Sequence, residues 1–453
     1  MALDGGGHEF SVSRTYPVSA PFPGFAETET SCWLDALKDA VSCLPQASSI
    51  ASIGLSGQMH GIVPISLADG ALHPAILWAD QRGKSELSAF VSLPSVMKEK
   101  LRNTPAAGMA ATSMLWLKKN RRAVYDSTDF FLFPKDYIRY VLTGEIATDF
   151  SDASGSLLYD FDTGGWYTGL LDYLGLDIRK MPPIKRSNEL CGSVTAQGAD
   201  STGLEAGIPV ATGAGDTPSA ILGSGLADED TIQISIGTGA QIVRLCHEVP
   251  GYEPAIHLFE SATSGLHYRM SAMLNGGLAL DWVREIIGLT WKEVYAELTK
   301  EGTEKPYDLM FLPYLTGERT PYMNPDARGV WNGLALHHGR IELIHSALMG
   351  VACSVRLGLE ALGIGGVHHY RLVGGSARFP YWNKLLASML DVELEISCIS
   401  DSSARGAVFL GASSIGSRLS GDFRFSLVEP EHDRRIDEYF LRFKETYQHN
   451  YTS

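Results

Sequence analysis

Asp216 is placed where carboxylate chemistry would sit. It lies in Gly213-Ala214-Gly215-Asp216-Thr217-Pro218-Ser219-Ala220, directly after the strand-like run Pro209 to Thr212. The small residues let the backbone turn tightly out of a strand. Thr217 is placed to cap the following helix and Pro218 suits its first turn. A carboxylate there is near the positive end of a helix dipole, stays ionised, and can accept a proton from a hydroxyl as a phosphoryl group transfers. Plain helix capping explains the same aspartate, and for this segment taken alone it is the commoner case.

Other segments offer backbone rather than charge. Gly237-Thr238-Gly239-Ala240 joins two strand-like arms, Thr231 to Ile236 and Gln241 to Leu245. Such a tip exposes N–H groups and one hydroxyl that suit phosphate oxygens, although any tight hairpin wants the same glycines. It is neither a P-loop nor a dinucleotide fingerprint. Gly374-Gly375-Ser376-Ala377 follows the strand-like Tyr370 to Val373 and precedes a helix containing Trp382. Close approach of a flat ligand such as adenine explains these glycines, and so does tight strand–helix packing. Ala404-Arg405-Gly406-Ala407 opens the last helix of this region with small residues, which suits packing without any ligand.

Ser56-Gly57-Gln58-Met59-His60-Gly61 follows the apolar run Ile50 to Leu55. That puts Gln58, Met59 and His60 at the carboxyl end of a strand, where α/β proteins bind ligands. A connecting loop with a satisfied His60 is the alternative. Trp78, Asp80 and Arg82 could form a sugar site, the indole packing on C–H groups and the charged pair bonding hydroxyls. A core Trp beside a surface ion pair is the more frequent explanation of such a Trp-x-Asp-x-Arg spacing. His337-His338 and His368-His369 have no third ligand at metal spacing and read as surface or loop residues.

These residues need elements to position them. Trp33, Leu34, Leu37, Ala40, Val41 and Leu44 recur at helical spacing, and helical patterns also cover Leu343 to Leu362 and Tyr381 to Leu390. Strands followed by helices imply α/β layers. The 453 residues exceed one ordinary core. We place a boundary near Gly223–Leu226, giving domains 1–224 and 225–453. A charge balance of 37 basic against 52 acidic residues, −15, argues against a general nucleic-acid binder. No apolar stretch approaches the roughly 20 residues that cross a bilayer, and no secretory signal opens the chain, so a soluble, cytoplasmic protein without a membrane partner is expected. Cys32, Cys43, Cys191, Cys246, Cys353 and Cys398 contain no CxxC pair and read as reduced, packed thiols.

Taken in order, SGQMHG, LWADQR, PKDYIRYVLTGEIATDFSDASG, GAGDTPSA, SIGTG, LPYLTGERTPYMNPDARGVWNGL and VGGSARFPYWNKLLA resemble the FGGY carbohydrate kinases over nearly the whole chain. SGQMHG and the ERTP segment look most like the branch that phosphorylates D-xylulose. The resemblance implies two α/β domains of the ribonuclease-H/actin type with an interdomain cleft, sugar on the first domain and ATP with Mg²⁺ mainly on the second. It implies Asp216 as the base, Met59 and His60 as sugar contacts, Gly237, Thr238 and Gly239 as a phosphate hairpin, and Gly374, Gly375 and Ser376 as the adenosine motif. It also suggests a homodimer. Ser113 stands where the family usually has a Lys. The family's first strand and its Asp-x-Gly-Thr hairpin, whose Asp helps hold magnesium, have no counterpart here. Met1 to Asp4, Gly5-Gly6-Gly7 and Phe10 to Val18 instead resemble its second strand, turn and third strand. A central strand missing from the sheet would expose unpaired backbone. The alternatives are a kinase for another ketose or polyol, such as ribulose, gluconate or glycerol, and a non-catalytic sugar- or nucleotide-binding protein.

Overall fold

The computed structural model describes residues 1–3, 9–44, 49–300, 307–397, 399, 401–419 and 423–451. The second half of the chain builds one seven-stranded sheet, in the order His257–Glu260, His267–Met273, Ala240–Cys246, Thr231–Ile236, His369–Val373, Leu394–Ser397, Phe425–Val428. The alternating run Thr231–Ile236 turns at Gly237–Gly239 and pairs antiparallel with Ala240–Cys246, placing Ile234 opposite Ile242. Its other edge runs parallel to His369–Val373, with Ile234 opposite Leu372.

Parallel neighbours need a crossover, and this one contains the helix Arg340–Leu362. By length and composition that helix could cross a bilayer, which corrects the expectation that no stretch qualified. It is a core helix: Ile344, Leu348, Val351 and Val355 are buried together with the sheet residues Ile232, Ile234 and Leu372. The closing helix Arg434–Tyr451 completes this core through Tyr439, Phe440, Phe443 and Tyr447.

The first half is assembled from small pieces of sheet. Ser56–Gly57 runs parallel to Ala214–Gly215, and Ile53 makes an isolated parallel bridge to Val210. The strand expected over Ile50–Leu55 is reduced to that bridge. Among the described residues nothing pairs with its far edge, and Ile53 and Leu55 stay half-buried. Ala2–Leu3 pairs antiparallel with Glu9–Phe10. The strand expected to continue to Val18 stops at Phe10, and the expected turn Gly5–Gly7 lies outside the described residues. Helices match their periodicity more closely. The helix Thr30–Ser42 buries Trp33 and Val41, and Pro134–Thr143 ends at Gly144, whose φ of 76° suits only a residue free of a Cβ clash. Cys32, Cys43, Cys191, Cys246 and Cys353 are free thiols; Cys43 is exposed rather than packed, and Cys398 lies outside the described residues.

A helix crossing and a docked strand are prominent among the contacts that join the halves. The helices Asp216–Gly223 and Ser402–Ser414 cross so closely that a Cβ on Gly223 would lie 1.9 Å from the Ser402 carbonyl oxygen, and one on Gly406 1.9 Å from that of Ser219. On the other side, the edge strand His257–Glu260 docks on the first half. Asn103 Nδ2 donates to Leu258 O (2.7 Å), Asn103 Oδ1 accepts from Leu258 N–H (3.1 Å), and Ser154 Oγ accepts from Glu260 N–H (3.0 Å).

Candidate active site

The parallel pairing of Ser56–Gly57 with Ala214–Gly215 sets the loops after both segments side by side. Met59 packs its Cγ so close to Gly215 that a Cβ there would meet it at 2.5 Å. Asp216 is the next residue. It is the first residue of its helix, and Gly215 is the N-cap, so neither Asp216 nor the Thr217 expected to cap occupies the capping position. Asp216 Oδ1 accepts from Thr217 N–H at 2.6 Å. Among the described residues, no group donates a hydrogen bond to the other carboxylate oxygen. The carboxyl opens to solvent, while the surrounding walls strip enough water to raise its pKa above the ordinary range, against the pull of the Thr217 N–H. A base tuned upwards in this way takes a proton more readily.

His60 sits at φ 72°, an uncommon left-handed conformation for a side-chain-bearing residue. Its Nδ1 lies 2.7 Å from Gly155 O. A carbonyl only accepts, so Nδ1 carries the hydrogen and Nε2 keeps a lone pair for a hydroxyl. Burial, helped by the Arg319 charge, lowers His60 to about 4. Gly155 belongs to the segment that also holds Asp216: Gly215 N–H donates to Ser151 Oγ at 3.0 Å, and Ser151 Oγ donates to Asp149 Oδ2 at 2.6 Å. Behind them, Lys135 Nζ reaches Asp136, Asp149 and Asp152 at 2.7, 2.9 and 2.9 Å, all buried, and Arg139 joins Asp136 at 2.7 Å. Two cations thus face three carboxyl groups, and burial pushes the pKa of Asp152 well up against the pull of Lys135. From the second half, Tyr268 Oη donates to Met59 Sδ at 3.5 Å and Phe259 lies 5.9 Å from the His60 ring.

The structure thus gathers Met59, His60 and Asp216. Gln58 faces away, lining a groove with Trp33 and Lys135. Trp78, Asp80 and Arg82 form a separate unit. Asp80 is fully buried and accepts from Ala26 N–H (2.6 Å), Arg82 N–H (2.8 Å) and Arg82 Nε (2.9 Å). Arg82 also pairs with Glu27 at 2.5 Å and lies over Phe25. Trp78 is 55 % exposed. The arrangement reverses the anticipated core Trp with a surface ion pair, and the charged pair is bonded internally.

Asp216 lines a cavity of about 330 Å³ together with Ser56, Asp401 and Ser403. In the second half, the hairpin tip is tied down from behind: Thr238 O accepts from Gly276 and Leu278 N–H, both at 3.0 Å, and Gly237 O accepts from Gly277 N–H at 2.7 Å. The N–H groups of Thr238 and Gly239 have no backbone partner among the described residues, leaving two donors for an anion. Gly374, at φ 88°, turns the chain into Gly375–Arg378. Beside it, Ser376 Oγ and Asn383 Oδ1 are buried without partners among the described residues, as a nucleotide pocket would leave them. Asn383 escaped the sequence reading because an Asn inside a helix carries no local signal. His337 and His338 do find a third group, Asp308 Oδ2, 3.3 Å from each Nε2. His338 Nδ1 accepts from Ala335 N–H (2.9 Å), which puts its hydrogen on Nε2, where a metal would need the lone pair.

The model of the N-terminal domain of the FGGY family of carbohydrate kinases matches residues 2–223, and that of the C-terminal domain matches 232–415. The chain belongs to the FGGY family of carbohydrate kinases. It is an enzyme that phosphorylates a sugar, with the two-domain, actin-like fold of that family. Among its relatives, the xylulose kinase of Escherichia coli K12 is 31% identical over 384 residues, 83% of this chain and 79% of that protein. The gluconokinase of Bacillus subtilis is 26% identical over 386 residues, 81% of this chain and 75% of that protein. The solved kinase of Brucella ovis superposes with a TM-score of 0.87 at 32% identity, covering 96% of this chain and 93% of that one. FGGY kinases use ATP, generally with a divalent metal.

Proposed function

We propose that this FGGY kinase transfers the γ-phosphoryl group of ATP to D-xylulose, giving D-xylulose 5-phosphate and ADP, with domains dividing at 224/225. The observation that carries the mechanism is the contact of Met59 with Gly215, which sets the sugar loop against the open carboxylate of Asp216. Asp216 accepts the proton of the sugar's primary hydroxyl as its oxygen bonds to phosphorus and ADP leaves. Met59 closes the apolar side of the sugar site and His60 Nε2 accepts from a sugar hydroxyl. Trp78 offers an indole face at the rim, while Asp80 and Arg82 hold its loop rather than the sugar; Gln58 orients the loop from the neighbouring groove. Thr238 and Gly239 N–H groups, with Gly237 shaping the turn, take phosphate oxygens. Gly374, Gly375 and Ser376 receive the adenosine.

The carboxylates of Asp216 and Asp401 border the cavity and fit a hard cation that takes most of its ligands from phosphates and water. Mg²⁺ bound there would neutralise phosphate charge. The similarity to xylulose kinases supports the choice of sugar. The test is ADP release with D-xylulose, D-ribulose, gluconate and glycerol. Preferred turnover of D-xylulose supports the reading. Preferred turnover of another sugar replaces the substrate, and ligand binding without any turnover replaces the kinase by a binding role.

A further inference from the structure

The second domain brings one more charged group to the sugar loop. Arg319 stands between two buried residues, Glu318 and Thr320, and both are tied down. Glu318 Oε1 accepts from Leu274 N–H and Arg319 N–H, each at 2.7 Å. Thr320 Oγ1 donates to Ala255 O at 2.6 Å and accepts from Ala272 N–H at 3.1 Å. The Arg319 backbone is therefore fixed against the strand that carries Tyr268 to Met59 and against the segment leading into the strand that carries Phe259 to His60. Its side chain is half-buried, and among the described residues no carboxylate or carbonyl accepts from the guanidinium.

Five donors on a partly desolvated cation are costly to leave without an acceptor. The carboxylate whose charge acts on Arg319 is that of Glu318, its neighbour in the chain. His60 and His257 feel the Arg319 charge and are held neutral, and Glu318 is bonded to backbone N–H groups. The strands beside Arg319 reach His60 through Phe259 and Met59 through Tyr268, so Arg319 belongs to the second-domain wall that faces the His60 loop.

We propose that Arg319 is a sugar-binding residue delivered by the second domain, its guanidinium donating to ketose oxygens at the end remote from the reacting hydroxyl, beside His60 Nε2. This rests on the sugar-kinase reading above. The bound sugar then has one wall from each domain, so binding it favours closure.

The test compares wild type with Arg319→Met and Arg319→Lys in steady-state kinetics, varying D-xylulose and ATP separately, with melting curves to confirm folding. Loss of charge-assisted hydrogen bonds should raise the sugar KM about ten- to a hundredfold in Arg319→Met. Arg319→Lys should recover part of it, and the ATP KM should not move. An unchanged sugar KM overturns the proposal. So does a fall in kcat at unchanged sugar KM, which would place Arg319 on the phosphoryl group. Should the wild type turn over no sugar, the kinase reading fails, and calorimetric titration with D-xylulose still decides on Arg319: binding weakened in Arg319→Met upholds it and equal binding sinks it.

Discussion

Asp216 keeps one oxygen on its own helix and one towards the cleft. Because Gly215 is the N-cap, Asp216→Asn should spare the helix. We expect kcat to fall by about 10²- to 10⁴-fold with the melting temperature nearly unchanged, in an ADP-release assay paired with calorimetry. His60 and His257, lowered to about 4 and about 3 by burial, make a different prediction. Unfolded imidazoles take up protons near pH 6.5, while the folded ones resist until about pH 4 and below. Stability from these two groups is therefore complete above about pH 6.5 and is lost as the pH falls towards 4. The urea midpoint should drop across that window, and His60→Gln should flatten part of the drop. At this scale the sequence singled out Met59, His60 and Asp216 from contiguous, glycine-flanked words, and the structure brings those words side by side. Arg319, Ser151 and Asn383 matter through contacts with distant segments, which no local pattern displays.

Among elements, the helix Pro134–Thr143 does more than pack. It carries Lys135 into a buried group of three carboxylates, one of which, Asp149, holds Ser151 and through it Gly215. Lys135→Met should leave those carboxylates without their shared cation and destabilise the protein by about 3–5 kcal/mol in urea unfolding. Ser151→Ala should cost much less stability but lower kcat, because it frees the turn before Asp216. The helices Thr30–Ser42, Arg340–Leu362 and Pro380–Leu390 and the strands Thr231–Ile236, Ala240–Cys246 and His369–Val373 were legible within a few residues, whereas the strands His257–Glu260, His267–Met273 and Phe425–Val428 were not read. The run Ile50–Leu55 shortened to a single bridge at Ile53 because pairing depends on a partner that the run itself does not encode, and among the described residues its far edge has none.

At the scale of the molecule, the two domains meet at glycines. Gly406→Ala would place a methyl 1.9 Å from the Ser219 carbonyl oxygen. Overpacking of this kind typically costs about 1–3 kcal/mol, which differential scanning calorimetry would register. Two domains with a cleft were foreseeable from length and from the ordered motifs. The crossing itself was not: Ala404-Arg405-Gly406-Ala407 announced a close-packed helix without naming the surface it packs on, which is the helix of Asp216.

That crossing has a mechanical consequence. Where glycine backbones touch this closely, two helices can slide over one another with little rearrangement at the point of contact. Asp216, the base of the proposed mechanism, rides on one of those helices, so each opening or closing stroke of the domains would move it directly, like a lever on a smooth bearing. Friction with the surrounding liquid would then be the main brake on the stroke. Turnover should slow as sucrose thickens the medium, and Gly406→Ala, by roughening the bearing, should make the rate less sensitive to that thickening.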